Sequence, residues 1–252
     1  MQRVIKRRSV MEGMQAVILA GGLATRMRPR TLTTPKFLLP VAGRPFGAWL
    51  LERLAESGYQ KALICVAHLG DQIRAEMGNG RAFGMELTYA DEGPNLLGTA
   101  GAIRRAASEL SASFLVTYGD SYLPFDYAGP LRLLDQSTDA DGVMAVFKNE
   151  GRWDKSNTVV RADEEGGLWV DRYEKGSNDV LIDHIDYGAT ALRREVILAL
   201  PEGVPWGLDR VQADLALRRR LRAYLARARF FEIGSEAGLD ELDQELRAKA
   251  RK

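Results

Sequence analysis

The feature that most constrains this chain is a short apolar run and the way it stops. Ala16-Val17-Ile18-Leu19-Ala20 ends abruptly at Gly21-Gly22. Consecutive apolar residues without alternation suit a strand buried on both faces, which implies a parallel sheet covered by helices. The pattern recurs. Apolar runs at 62–66, 114–118 and 142–147, with a shorter one at 86–89, alternate with helical spacing at 46–56, 71–77, 99–110 and 131–136. This βαβα order predicts an α/β fold, a mixed and mostly parallel sheet flanked by helices.

Beyond Lys148 the rhythm changes. Segments 157–161 and 168–173 flank Asp163-Glu164-Glu165-Gly166-Gly167 and read as a hairpin. A strand is expected at 187–192, helices at about 208–221 and 235–248, and a short strand at 230–233 between those helices. No Pro/Ser-rich linker or internal repeat interrupts the chain. One domain, residues 14–252, is therefore expected behind a basic N-terminal tail, residues 1–13.

Charge narrows the function. Lys and Arg number 35 against 34 Asp and Glu, a net charge of +1, which removes the long-range attraction to polyanions of a general nucleic-acid binder. The cluster Arg218-Arg219-Arg220 with Arg222 accordingly reads as a solvated helix face. Cys65 is the only cysteine, so no intrachain disulfide or cysteine-rich zinc site can form. No apolar run approaches the roughly 20 residues of a membrane span, and no signal-peptide core follows the basic start. The expectation is a soluble cytoplasmic protein with neither membrane nor nucleic-acid partner. The sequence leaves homo-oligomerisation open.

The chemistry concentrates in Leu19-Ala20-Gly21-Gly22-Leu23-Ala24-Thr25-Arg26-Met27-Arg28-Pro29 and its continuation Thr34-Pro35-Lys36-Phe37-Leu38-Leu39-Pro40. A glycine turn at the carboxyl end of a first parallel strand is where open α/β sheets bind ligands. Glycines there let backbone N–H groups reach phosphate oxygens. Arg26 and Lys36 add two cations suited to a triphosphate. A Walker A string, G-x-x-x-x-G-K-(S/T), does not occur, and adjacent glycines do not match the dinucleotide fingerprint G-x-G-x-x-G.

The full string resembles the G-G-x-(G/A)-T-R-(L/M)-x-P … P-K-x-(L/M)-(L/V)-P signature of sugar-1-phosphate nucleotidyltransferases, the nucleotide-sugar pyrophosphorylases. The look is closest to bacterial heptose-1-phosphate and mannose-1-phosphate guanylyltransferases, with similarity also to N-acetylmuramate-1-phosphate uridylyltransferases. The likeness runs from about Gln15 to Leu246 and implies the Rossmann-like nucleotide-diphospho-sugar transferase fold. Some relatives carry a C-terminal β-helix of hexapeptide repeats, and no such repeat is found here.

The resemblance also implies residue roles. Arg26, Lys36 and Asp120 would be catalytic, and Leu19, Gly21, Gly22, Glu92, Gly98 and Thr99 would bind the nucleotide. Asp120 in Gly119-Asp120 matches the aspartate that binds Mg²⁺, the implied cofactor. Glu232 in Phe230-Phe231-Glu232-Ile233-Gly234-Ser235 stands where the family has a second metal aspartate. A glutamate keeps the oxygen ligand that Mg²⁺ prefers. Leu97-Gly98-Thr99-Ala100-Gly101-Ala102 matches a segment beside the base. Glu92 stands where thymidylyl- and uridylyl-transferring relatives often carry glutamine. An ionised carboxylate only accepts hydrogen bonds, which suits the adjacent N1–H and 2-amino donors of guanine and favours GTP.

For the sugar phosphate, the resemblance implies Glu174 and Lys175 in Tyr173-Glu174-Lys175, and Asp186 and Gly188 in Asp186-Tyr187-Gly188, where relatives have asparagine first. The loop Arg152-Trp153-Asp154-Lys155-Ser156-Asn157 suits a sugar-side lid, while His68 and His184 read as surface residues. The implied reaction joins an NTP and a sugar 1-phosphate into an NDP-sugar and pyrophosphate. Three alternatives stay open: uridylyl, thymidylyl or cytidylyl transfer, a phosphocholine-like acceptor, and a non-catalytic nucleotide- or sugar-phosphate-sensing relative. Ala24 replaces a common glycine, so a positive φ there would cost about 1 kcal/mol.

Overall fold

The computed structural model describes residues 13–93 and 95–250. Apart from Gly13, the expected tail lies outside the described residues. β1 (Gln15–Leu19) leads into a long loop containing the small ribbon β2 (Pro40–Val41) and β3 (Arg44–Pro45). The chain continues through α1 (Phe46–Glu56), β4 (Lys61–Val66), α2 (Gly70–Met77), β5 (Glu86–Asp91), α3 (Gly98–Arg105) and β6 (Ser113–Tyr118). Then follow β7 (Ser121–Tyr122), α4 (Ala128–Gln136), β8 (Gly142–Lys148), β9 (Thr158–Ala162), β10 (Leu168–Tyr173) and β11 (His184–Arg193). α5 (Arg194–Leu198), α6 (Leu208–Leu217), β12 (Leu221–Ala226), β13 (Phe231–Glu232) and α7 (Glu236–Ala250) complete it.

Nine strands form one sheet in the order β5-β4-β1-β6-β11-β8-β12-β10-β9. β5, β4, β1 and β6 are mutually parallel, β11 is antiparallel to both its neighbours, and β8 and β12 are parallel to each other. The hairpin β9–β10 closes the far edge. This is the expected mixed, mostly parallel architecture.

Both faces of the sheet are apolar, as continuous apolar strands require. Ala16 and Ile18 of β1, with Ala62 and Ile64 of β4, pack toward α1 and α4 through Leu50, Leu54, Leu131 and Leu134. Val17, Leu63 and Cys65 point the other way, toward α3 and α6 through Ile103, Leu208, Val211 and Leu215. The two-residue alternation of a strand thus feeds two cores from one run.

One expectation is overturned. The helix expected over 208–221 ends at Leu217, and Leu221–Ala226 is strand β12, inserted between β8 and β10. Arg219 takes a left-handed φ of 55°, which stops the helix, and Arg220 N–H returns to Leu215 O at 2.8 Å. The arginine cluster is therefore a turn tied by ion pairs, not a helix face. Arg220 pairs with Asp141 at 2.8 Å, and Arg222 pairs with Asp139 at 3.0 Å while lying 4.6 Å from the centre of the Trp169 ring. Among the described residues no helix is long and apolar enough to cross a membrane.

Candidate active site

β1 leaves the sheet between two parallel neighbours. Ala20 N–H donates to Cys65 O and Gly119 N–H to Leu19 O, each at 2.9 Å, so the loops after β1 and β6 start from one edge. Above that edge lies a cavity of about 230 Å³ lined by Leu19, Gly21, Gly22, Glu92, Leu96, Gly98, Thr99, Tyr118 and Asp120. Every residue assigned to the nucleotide from sequence lines it. Leu96 and Tyr118 are additions.

Close packing dictates the glycines at the base end. A Cβ on Gly21 would collide with Glu92 Oε1. Glu92 is buried, and that burial raises its carboxyl above the usual range, opposed by the Leu97 backbone N–H. Gly98, with φ at 70°, sits where a Cβ would stand 2.8 Å from Trp206 O. That carbonyl accepts Ala100 N–H at 2.9 Å and Gly101 N–H at 3.1 Å, while Trp206 N–H donates to Leu97 O at 2.7 Å. Leu208 N–H donates to Thr99 Oγ1 at 2.7 Å. The loop before α6 thus braces the segment beside the cavity. Trp206 carried no motif that marked it for this role.

At the opposite end, Lys36 Nζ donates to Asp120 Oδ2 at 2.8 Å, and the lysine side chain is only 16% exposed. Ala24 adopts φ 47°, the strained conformation its replacement of glycine warned of, and opens the turn bearing exposed Arg26. β7 and β13 then pair antiparallel, Ser121 opposite Glu232, and Ile233 N–H donates to Asp120 O at 3.0 Å. The ribbon sets the two proposed metal carboxylates side by side.

Glu232 is exposed to solvent yet has much protein around it. Its carboxyl is pushed up to about 7 by the loss of bulk water and then by Asp120 and Asp154, against Lys36 and Arg26. Solvent access tempers the first cause, which leaves a surplus of negative charge that a cation relieves. No cluster of three or more His, Cys, Asp or Glu side chains suited to a metal occurs among the described residues. Two hard oxygen donors without a full cage fit Mg²⁺, which keeps waters and takes further oxygens from substrate phosphates.

Of the residues expected to bind the sugar phosphate, Asp186 and Gly188 lie on the first half of β11, and Glu174 and Lys175 directly follow β10. Asp186 Oδ1 accepts Gly188 N–H at 3.0 Å. Its Oδ2 accepts Tyr173 O–H at 3.3 Å and Gln212 Nε2 at 3.2 Å. Burial raises the Asp186 carboxyl, opposed by the Gly188 N–H and then by the Lys175 charge. Asn157 Oδ1 accepts Asp186 N–H at 2.8 Å, and Asn157 O accepts Glu174 N–H at 2.7 Å. Gly188 has φ 91°, and a Cβ there would lie 3.5 Å from the Tyr118 ring. The Glu174 side chain is exposed and makes no hydrogen bond among the described residues. His184, expected at the surface, is only 12% exposed, with Nδ1 2.6 Å from Asp183 Oδ1.

The loop 149–157 is a braced strap. Buried Asn149 donates to Asp154 O at 2.6 Å and Ser156 Oγ at 3.0 Å. Lys155 Nζ donates to Gly176 O at 2.8 Å and Asn178 Oδ1 at 2.6 Å. Arg229 lies between Trp153 and Phe231, 3.7 and 4.5 Å from their ring centres, and chelates Glu241 at 2.6 and 2.8 Å. Phe231 adjoins Glu232, so one guanidinium links the strap to the ribbon beneath it.

A model of the nucleotidyl transferase family matches residues 15–209. The chain belongs to that family. It is 44% identical over 115 residues to the N-acetylmuramate alpha-1-phosphate uridylyltransferase of Neisseria meningitidis, covering 45% of this chain and 50% of that protein. It is 34% identical over 198 residues to the mannose-1-phosphate guanylyltransferase of Mycobacterium tuberculosis, covering 77% of this chain and 53% of that one. The chain thus spans about half the length of these relatives. The fold matches crystalline HddC from Yersinia pseudotuberculosis with a TM-score of 0.71 at 23% identity, over 92% of this chain and 99% of that one.

Proposed function

We propose that this chain transfers a nucleoside monophosphate from an NTP, GTP in preference, to a sugar 1-phosphate of heptose or mannose type. The products are an NDP-sugar and pyrophosphate. The observation that carries this reading is the single cavity joining Gly21, Gly22, Glu92, Gly98 and Thr99 to Asp120, which Lys36 holds at 2.8 Å.

A phosphate oxygen of the acceptor attacks the α-phosphorus, forming one P–O bond while the bond to pyrophosphate breaks. The attacking monoester is already ionised at neutral pH, so no general base is needed. Catalysis is then positioning and charge stabilisation. Gly21 and Gly22 give the phosphates access to backbone, and Arg26 and Lys36 offset their charge. Asp120 and Glu232 would hold Mg²⁺, which when bound supplies electrostatic stabilisation of phosphate oxygens. Glu92 accepts hydrogen bonds from guanine N1–H and the 2-amino group. Asp186, Gly188, Glu174 and Lys175 form the acceptor side. Substrates of this kind suit a cytoplasmic protein.

The 44% identity to a uridylyltransferase favours UTP as a second reading. Pyrophosphate release from GTP, UTP, CTP and dTTP, crossed with heptose, mannose, glucose and N-acetylmuramate 1-phosphates, decides between them. GTP with mannose or heptose 1-phosphate is expected to be fastest. Fastest release from UTP overturns the base assignment, and no release from any pair overturns the transferase reading.

A further inference from the structure

The strap between β8 and β9 bonds outward to the backbone on both sides of Lys175. On one side, Asn157 O accepts Glu174 N–H at 2.7 Å. On the other, Lys155 Nζ donates to Gly176 O at 2.8 Å and to Asn178 Oδ1 at 2.6 Å. Lys175 itself is exposed, and its side chain makes no hydrogen bond or ion pair among the described residues. Where that lysine stands is therefore set by its two neighbours, and the strap holds both of them.

The strap in turn is held from outside. Asn149 fixes its internal shape through Asp154 O and Ser156 Oγ, but Trp153 rests on a different part of the chain. The Arg229 guanidinium lies 3.7 Å from the Trp153 ring centre and 4.5 Å from that of Phe231. α7 aims it: Nη1 and Nη2 donate to the two Glu241 oxygens at 2.6 and 2.8 Å, and Nε donates to Phe230 O at 3.3 Å. Only a planar fork can be chelated at its edge and stacked on its faces at once, whereas a lysine ammonium is a point charge. Phe231 does not need this contact, because it is buried and its strand pairs with β7. Trp153 is 47% exposed, and the guanidinium accounts for a large ring in so polar a loop.

We propose that Arg229 is a positioning residue for the acceptor phosphate. It latches the strap through Trp153, and the strap, through Lys155 and Asn157, holds the turn that aims Lys175. The proposal rests on the transferase reading and deepens it: a cation placed in advance reduces the ordering that the sugar phosphate must impose on binding. The effect is confined to the acceptor, since among the described residues no hydrogen bond joins the strap to the residues lining the nucleotide cavity.

The test compares wild type with Arg229→Lys, Lys155→Met and the double variant, using the fastest substrate pair of the crossed panel. Each single change is expected to raise the KM for the sugar phosphate about three- to tenfold, the size of one or two cation–π contacts. The nucleotide KM and kcat should stay unchanged, as for a contact made equally before and during reaction. The double variant should be no worse than the weaker single, because both changes interrupt one path. A second readout needs no substrate. The protein has four tryptophans, so the Trp153 signal is taken as the difference from the same protein carrying Trp153→Phe. Acrylamide quenching of that signal is expected to rise in Arg229→Lys, with the thermal transition still cooperative. Wild-type kinetics in Arg229→Lys overturn the proposal, because charge alone then suffices. So do unchanged quenching, an equal rise in the nucleotide KM, or multiplying effects in the double variant. Absence of turnover by wild type with any pair overturns the transferase reading, and the proposal with it.

Discussion

The two halves of the crevice are built from different materials. On the proposed nucleotide side three glycines bring backbone to the cavity wall, and at two of them a Cβ would strike a neighbour: Gly21 against Glu92 and Gly98 against the Trp206 carbonyl. On the proposed acceptor side the construction is side chain: Asp186 is bonded to buried Tyr173 and Gln212, and Asp186 and Asn157 also bond to the β11 backbone. Backbone can cradle phosphates shared by every NTP. A network of side chains can be re-chosen for a particular sugar without disturbing the phosphate cradle. On the proposed reading, the contrast assigns the chemistry shared by all NTPs to the loops after β1 and β6, and the choice of sugar to the network around β11.

The most severe challenge to this contrast is the residue at the boundary. Lys36→Ala removes the cation bonded to Asp120, and pyrophosphate release is expected to fall by about 10²–10³-fold in kcat. The fold should survive with little change in Tm, because a partly exposed ion pair contributes only about 0–1 kcal/mol. Retained turnover would mean that the charge of Lys36 does not act on the reaction.

Gly21→Ala tests the backbone half alone. Its new methyl would meet Glu92 Oε1, so the movable carboxylate must shift away from the cavity. Loss of one hydrogen bond to the base, about 0.5–1.5 kcal/mol, corresponds to roughly a two- to tenfold rise in the KM for the nucleotide, with the KM for the sugar phosphate unchanged. If both constants rise together, the halves are not separable and the contrast fails.

The same division explains what was readable in the sequence. Backbone-built features leave marks: the apolar run ending at Gly21-Gly22 foretold β1, and the glycines, Thr99 and Asp120 were found together in one cavity. Ala24, standing where a glycine is common, adopts the positive φ that such a position implies. Side-chain networks leave fewer marks, since Asn149, Asn157 and Gln212 act through partners distant in the chain. Strand β12 is hidden in the sequence because Leu221-Arg222-Ala223-Tyr224 follows a helix without glycine or proline, and Arg222 with the preceding Arg218-Arg219-Arg220 mimics a solvated helix face. Only tertiary partners, Asp139 and Trp169 for Arg222, reveal the strand.

The smallest expected effect probes the side-chain half through Asp186. Burial raises its folded-state carboxyl above the unfolded value of about 3.9, in the company of Tyr118, Tyr173, Gln212 and the Lys175 charge. Between those two values the folded state binds more protons than the unfolded state, so this group's contribution to stability falls as pH rises through the window. Asp186→Asn deletes that titration. The network can accommodate the amide: its oxygen keeps Gly188 N–H, and Gln212 can turn its now unpartnered buried Oε1 toward the new NH₂. Urea unfolding of the two proteins from pH 4 upward is therefore expected to show the variant gaining on wild type as pH rises, then holding a constant margin. A margin independent of pH would show that Asp186 titrates alike in both states, and that the acceptor side is open to water in a way its hydrogen-bond network does not suggest.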